Sequence, residues 1–303
     1  MLKRIFSAFV VLLIASTLSS TAQNELPLPS STIQPISEID NGPLQVFLEQ
    51  EIESQPYWKK LASQKRLAVG IIDLNDPDFV QYAGINSEEM MYAASLPKIA
   101  VLLAAMDAID KCELIPTPEV RSDMKLMISK SNNQATTRMI DRVGFKKISD
   151  ILTDPKYNLY DREKGGLWVG KRYAAQGNRV PDPIKGLSHA ASVKQVCRFY
   201  YKLVTGNLVN KERSQEMLDI MENPALHHKF VNTLDRIAPN ARLFRKSGSW
   251  RNFHSDSILV WGEDGRKYIL VALVDDPNGE QIIRNLVVPV EKIIKKLRSF
   301  ENS

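Results

Sequence analysis

Leu44, Phe47, Leu48 and Ile52 recur at helical spacing, which predicts one amphipathic helix over 44–64. Leu67-Ala68-Val69-Gly70-Ile71-Ile72 is a continuous apolar run and reads as a strand within Arg66–Leu74. Asn75-Asp76-Pro77-Asp78 then predicts a turn, and Phe79–Ala83 the returning strand. Leu96 to Lys111 is apolar for four turns with little charge before Asp107, the pattern of a helix buried nearly all round. Helical periodicity returns over 118–129, 133–143, 193–205 and 211–221. Three strand-length runs come next at 242–250, 257–262 and 268–274, the last two joined by the hairpin signal Glu263-Asp264-Gly265. A final helix over 282–300 carries Ile283, Leu286, Val290, Ile293, Ile294 and Leu297 as its apolar stripe.

Strands at both ends and helices in the middle predict an α/β (α+β) fold. Residues 44–92 and 240–303 would build one antiparallel sheet covered by the terminal helices. Residues 93–239 would form an inserted helical lobe, with a cleft between the two. Asp154 to Gly186 breaks the pattern with five glycines and three prolines. An irregular stretch of that length inside a folded chain is usually functional.

The 303 residues carry 40 Lys+Arg against 35 Asp+Glu, a formal charge of +5. That bias is too weak to argue for nucleic acid. The first 22 residues read as a secretory signal peptide: Lys3 and Arg4, an apolar run from Ile5 to Leu18, then Ser20-Thr21-Ala22. The run is short of the roughly 20 residues a spanning helix needs. The expectation is therefore a periplasmic or secreted protein without a membrane anchor after cleavage, with residues 23–43 as an extended lead-in. Cys112 and Cys197 are either one disulfide or two separate buried thiols. His189, His227, His228 and His254 show no zinc-ligand spacing, so neither a metal nor an organic cofactor is expected.

Three short motifs carry the chemistry. In Ser95-Leu96-Pro97-Lys98, a spacing of three at a helix start stacks Ser95 and Lys98 on one face. Pro97 fits the first turn, where its missing N–H costs nothing. A lysine in a dry site can lose its proton and serve as base for a serine that is otherwise a weak nucleophile. The plain alternative is an N-cap serine with a surface lysine, but Lys98 heads an almost wholly apolar helix. In Ser131-Asn132-Asn133, the hydroxyl can relay a proton to a leaving nitrogen, and the Asn133 amide can orient Lys98 and a substrate carbonyl. The same residues would also cap a helix. In Lys246-Ser247-Gly248-Ser249, the glycine lets another backbone approach a strand closely. Lys246 would put a cation behind the proton relay, Ser247 would bind a substrate carboxylate, and the N–H groups of Ser95 and Ser249 would form an oxyanion hole.

These motifs, in this order and on these elements, resemble the penicillin-recognising serine hydrolases, most closely the class A beta-lactamases. The resemblance covers about residues 40–303. It implies a beta-lactamase-like fold with a five-stranded antiparallel sheet. It also implies acylation of Ser95 by a beta-lactam or a D-Ala-D-Ala-type peptide, in a monomer. Lys98 would be general base or its partner, Ser131 the donor to the leaving nitrogen, and Asn133, Lys246 and Ser247 the substrate holders. A DD-peptidase, another acyl-serine hydrolase and a penicillin-binding module without turnover are the alternatives.

Three departures bear on turnover. The E-x-x-L-N string that in class A enzymes holds the deacylating water is missing. The irregular stretch offers Asp161, Glu163 and Asp182 instead, with Glu163 one residue out of frame. Asn132 stands where the family usually has Asp. Ser95 and Ser131 are only 36 positions apart, which predicts an open cleft. Arg251 is the available stand-in for the family's carboxylate-binding arginine, and Trp250 a candidate wall against an acyl side chain.

Overall fold

The structure, a computed structural model, describes residues 26–28, 39 and 42–301. The signal peptide 1–22 and nearly all of the lead-in lie outside the described residues. The helix expected over 44–64 is two: α1 (Gly42–Ser54) and α2 (Pro56–Ser63). The break arises at Pro56, which forces the residue before it out of the helical region. Gln55 sits at φ −105°, ψ 100°.

Strands β1 (Leu67–Asp73) and β2 (Gln81–Ile85) come next, then the two-residue β3 (Met91–Tyr92) and the helices α3 (Lys98–Asp110), α4 (Pro118–Ser129), α5 (Asn133–Val143) and α6 (Phe145–Thr153). The irregular stretch contains the short strands β4 (Tyr160–Asp161), β5 (Gly165–Gly166) and β6 (Trp168–Val169), and ends at β7 (His189–Ala191). The chain continues through α7 (Val193–Val204), α8 (Lys211–Met221), α9 (Phe230–Ile237), β8 (Arg242–Trp250), β9 (Phe253–Trp261), β10 (Lys267–Asp275) and α10 (Gly279–Glu301). Helices α6 and α9 and strands β3 to β7 are additions to the elements that periodicity predicts. Strand β9 starts four residues earlier than expected, because the β8–β9 connection is only Arg251-Asn252, with Arg251 at φ +52°.

The main sheet has the order β2-β1-β10-β9-β8, all neighbours antiparallel. Side chains alternate across it with period two. Val69, Ile71, Leu270 and Ala272 face a core shared with Leu44 and Leu48 of α1 and Leu286 and Val290 of α10. Ala68, Ile72, Ile269 and Val271 face the other way, into the core of α3 and α7. Both faces are covered, so every residue of β1 is buried. Helix α3 lies inside this second core, with every residue from Lys98 to Ile109 buried. A smaller sheet, β3-β7-β6, runs beside it. Cys112 is exposed, Cys197 is buried, and both are free thiols, which excludes the disulfide.

Strand β8 forms the sheet's edge, and a buried ion pair fixes it. Arg245 donates to Asp256 of β9 through Nε (2.7 Å) and Nη2 (2.8 Å). It also donates to the carbonyls of Leu226 (2.8 Å) and His228 (3.1 Å), so the pair pins the loop ahead of α9 to the edge strand. Arg245 is 2% exposed and Asp256 0%. Removing one partner strands a buried charge, and D256A should cost about 3–5 kcal/mol. A double variant R245M/D256L should cost less than D256A alone. Urea denaturation of the three proteins tests this, and a D256A midpoint equal to wild type would contradict it.

Candidate active site

The chain enters α3 through a tight turn. Lys98 N–H donates to the Ser95 carbonyl at 3.3 Å, and Leu96 N–H to that of Ala93 at 3.1 Å. These bonds span three residues and place Ser95 and Lys98 on one face. Ala94 holds φ +50°, a left-handed conformation that costs an L-residue of order 1–3 kcal/mol and gathers at functional sites. Neighbours clamp this turn. The Ser255 hydroxyl donates to the Ala93 carbonyl (2.8 Å), the Tyr173 hydroxyl to the Ala94 carbonyl (3.1 Å), and the Ala93 N–H to the His189 carbonyl (2.9 Å).

Strand β8 meets the turn at Gly248. A Cβ there would lie 2.4 Å from the Ala93 carbonyl oxygen and 2.5 Å from the Ser95 nitrogen. Only glycine permits that approach, the role its place in the motif predicts. Ser249 comes immediately after and is exposed, and Ser247 before it is buried.

Lys98 is fully buried, and burial pushes its pKa down to about 7. Its Nζ contacts the Ser131 carbonyl (2.6 Å), Asn133 Oδ1 (2.8 Å) and Ser131 Oγ (3.3 Å). A neutral amine has two N–H groups and one lone pair. The carbonyl and the amide oxygen take the two hydrogens, which leaves the lone pair for a hydroxyl. Ser131 stands at φ +54°, and Asn132 caps α5 by accepting from the Ala135 N–H at 2.8 Å. The structure thus gives the middle motif both its cap and its contact with Lys98.

Lys246 Nζ donates to Ser131 Oγ (2.9 Å) and to the Ser247 carbonyl (2.6 Å). Desolvation first, then the charges of Lys98 and Arg245, hold its pKa well below the ordinary value. Ser131 Oγ therefore bridges two buried amines, a geometry that can pass a proton in either direction.

Three contributors to the site escape a reading of the sequence. Lys229, fully buried at φ +56° just ahead of α9, donates to the Gly248 carbonyl (2.5 Å), Ser249 Oγ (2.8 Å) and the Ser255 carbonyl (3.0 Å). Burial lowers its pKa to about 8. Tyr173, from the irregular stretch, lays its ring 4.6 Å from Lys98 Nζ. His189 packs its ring 4.3 Å from that of Tyr173, and desolvation lowers its pKa to about 4. No local periodicity announces any of them.

Trp250 and Arg251 stand at the mouth of an open cleft of about 780 Å³, whose lining also includes Asn133, Tyr173 and His189. The structure does not bring Glu163 into this cluster. That residue is exposed in the β4–β5 turn, where its N–H donates to Asp161 Oδ1 at 2.8 Å. Asp161 and Lys164 line a separate small pocket with Glu88 and Arg198. Asp182 is buried and accepts the N–H groups of Ile184, Lys185 and Leu187 in its own turn. No Asp or Glu lines the cleft among the described residues. Nor does any described helix have the length and apolarity to cross a membrane.

The model of the beta-lactamase enzyme family matches residues 115–296, more than half of the chain. No curated protein in the comparison matches it. PBP-A is similar in structure at 20% identity, with a TM-score of 0.60 over 84% of this chain and 97% of its own. A PBP-A variant solved as an acyl-enzyme complex with penicillin G gives 20% identity, a TM-score of 0.60, and 84% and 96% coverage. A class A beta-lactamase from Bacteroides cellulosilyticus DSM 14838 gives 14% identity, a TM-score of 0.63, and 84% and 99% coverage. At such identities the likeness concerns the fold.

The Gly248 contact yields a direct test. A Cβ pressed on two backbone atoms must push β8 away from the Ser95 turn. G248A should lose roughly 1–3 kcal/mol of stability, the usual cost of overpacking. It should lose reactivity at Ser95 beyond what stability explains, read by fluorescent-penicillin labelling well below the melting midpoint. Wild-type labelling in G248A would show that the approach does not matter.

Proposed function

The chain belongs to the beta-lactamase enzyme family, and from that membership we propose that it is a serine hydrolase that attacks beta-lactam-type amides through an acyl-enzyme at Ser95. The observation that carries the reading is Ser131 Oγ held between the amines of Lys98 and Lys246, next to the turn that presents Ser95. In this mechanism neutral Lys98 takes the Ser95 hydroxyl proton. Ser95 Oγ adds to the amide carbonyl, and the N–H groups of Ser95 and Ser249 receive the developing oxyanion. The C–N bond then breaks as Ser131 gives its proton to the leaving nitrogen and is reprotonated from the lysine pair. Lys246 and Ser247 supply N–H and O–H donors for the substrate carboxylate, with Lys229 acting through Ser249 Oγ.

Hydrolysis of the ester needs a held and activated water. Placement and proton removal each contribute orders of magnitude. The ring beside Lys98 is that of Tyr173, which is no base, and the cleft lining offers no carboxylate among the described residues. Deacylation is therefore the slow step. A PBP-A variant of similar fold is known as an acyl-enzyme with penicillin G, which fits a long-lived ester here. A DD-peptidase uses the same acylation and differs only in substrate. The reading places the protein in the periplasm or outside the cell.

Intact-protein mass spectrometry with a beta-lactam should give one adduct that S95A abolishes, and K98A should acylate at least about 10²-fold more slowly. An unchanged adduct in S95A would sink the assignment. Nitrocefin should show a burst near one equivalent and then slow turnover, whereas fast linear turnover would contradict rate-limiting deacylation. The acylation rate should rise with pH through about 7, as Lys98 loses its proton, and then level off. A rate flat across that range would remove neutral Lys98 as the base.

A further inference from the structure

We infer that the mouth of the cleft is a specificity site for a negatively charged group on the acyl side of the substrate. The inference rests on the proposed acylation of Ser95. Its first observation is the order of residues along the edge strand. Ser247 lies deep beside the buried Lys246, Gly248 touches the Ser95 turn, and Ser249 is exposed. Trp250 and Arg251 then reach the mouth, at about 3.3 Å per residue along the strand. A substrate with its carboxylate at Ser247 and its scissile carbonyl at Ser95 and Ser249 must send its acyl portion toward Trp250 and Arg251.

The second observation is what waits there. Trp250 is 56% exposed, a large apolar surface left open at the end of a strand. The Arg251 guanidinium lies 5.7 Å from the Trp250 ring centre and has no ion pair among the described residues. Lys171, from the irregular stretch, lines the same cleft, and its Nζ donates to the Ala175 carbonyl at 3.3 Å, again with no ion pair among the described residues. Arg172, the third cation of the lining, is paired with Asp141 at 2.5 Å. Two uncompensated cations and no lining carboxylate give the mouth a positive potential, which low-dielectric walls concentrate. Tyr92, Phe253 and Trp250 add flat apolar surface to the lining of the same cleft. The favoured occupant is an acyl group that joins an aromatic or other apolar body to a carboxylate.

Three penicillins isolate the charge. Benzylpenicillin, ampicillin and carbenicillin share a phenyl acyl side chain and carry hydrogen, ammonium and carboxylate on the adjoining carbon. Second-order acylation rates of the full mature protein, measured by competition with a fluorescent penicillin at low salt, should rank carbenicillin first and ampicillin last. The spread should be roughly tenfold or more, the low end of focusing in a charged cleft. Added salt should compress it, and so should R251Q and K171Q, most of all together. R251Q keeps a side chain of similar length at a surface turn, so folding is not at issue. Equal rates for the three compounds, or a spread that survives in the double variant, would overturn this inference and leave the acyl-serine reading intact. No acylation by any of them would overturn both.

Discussion

Among the described residues, three lysine amines are buried with no carboxylate bound to any of them, and the rest of the site is arranged around that constraint. Lys98 and Lys229 are fully buried and Lys246 is 1% exposed, yet their partners are carbonyl, amide and hydroxyl oxygens. The nearby acid, Asp256, is committed to Arg245 through both its oxygens. An ammonium in such surroundings loses its hydration and gains no directly bonded carboxylate, so the balance shifts toward the neutral amine. The protein thereby holds amines near neutrality at a pH where free lysines are charged. That state lets a lysine act as a base. It also fits the buried apolar stretch Ile99–Met106 that follows Lys98 in α3: a polar face there would let water in and restore the ordinary lysine.

The geometry that makes these amines useful comes from backbones in close contact. Gly248 brings the edge strand against the Ser95 turn, and Ala94 and Ser131 both adopt left-handed conformations on either side of Lys98. Strain of this kind persists only where the surroundings over-determine it. Here the surroundings are the Ser255, Tyr173 and His189 contacts on one side and the Asn132 cap on the other.

What was legible in the sequence was what is local. The Ser95–Lys98 spacing, the Ser131-Asn132-Asn133 cap and the glycine of 246–249 each encode their geometry within a few residues; strands β1 and β10 were legible as apolar runs, and β8 as a strand-length run between turns. The helix over 44–64 failed because its periodicity continues across Pro56, and the steric effect of that ring on Gln55 outweighs it. Lys229 and Tyr173 were invisible for the opposite reason. Tyr173 reaches a carbonyl 79 positions away, and nothing near Lys229 signals that its amine will be buried under β8. Glu163 came from a string resembling a family motif. A string is only as good as the loop that carries it, and this one folds as a short hairpin pinned by Asp161.

In the proposed mechanism, the irregular stretch bears on the fate of the acyl-enzyme through the side chain it sends to Lys98. Acylation and deacylation both need a base and an oxyanion hole, but they differ in where the nucleophile comes from. For acylation it is a hydroxyl fixed to the protein, already in the turn that leads to Lys98. For deacylation it is a water that the site must capture and orient. An aromatic ring 4.6 Å from the amine keeps that face dry, which preserves the lowered lysine pKa that acylation uses. The same ring supplies no acceptor to hold a water there. A carboxylate in that position would reverse both effects: it would seat a water and raise the lysine pKa by its charge. In the proposed mechanism the first step is thus favoured by the same aromatic contact that slows the second.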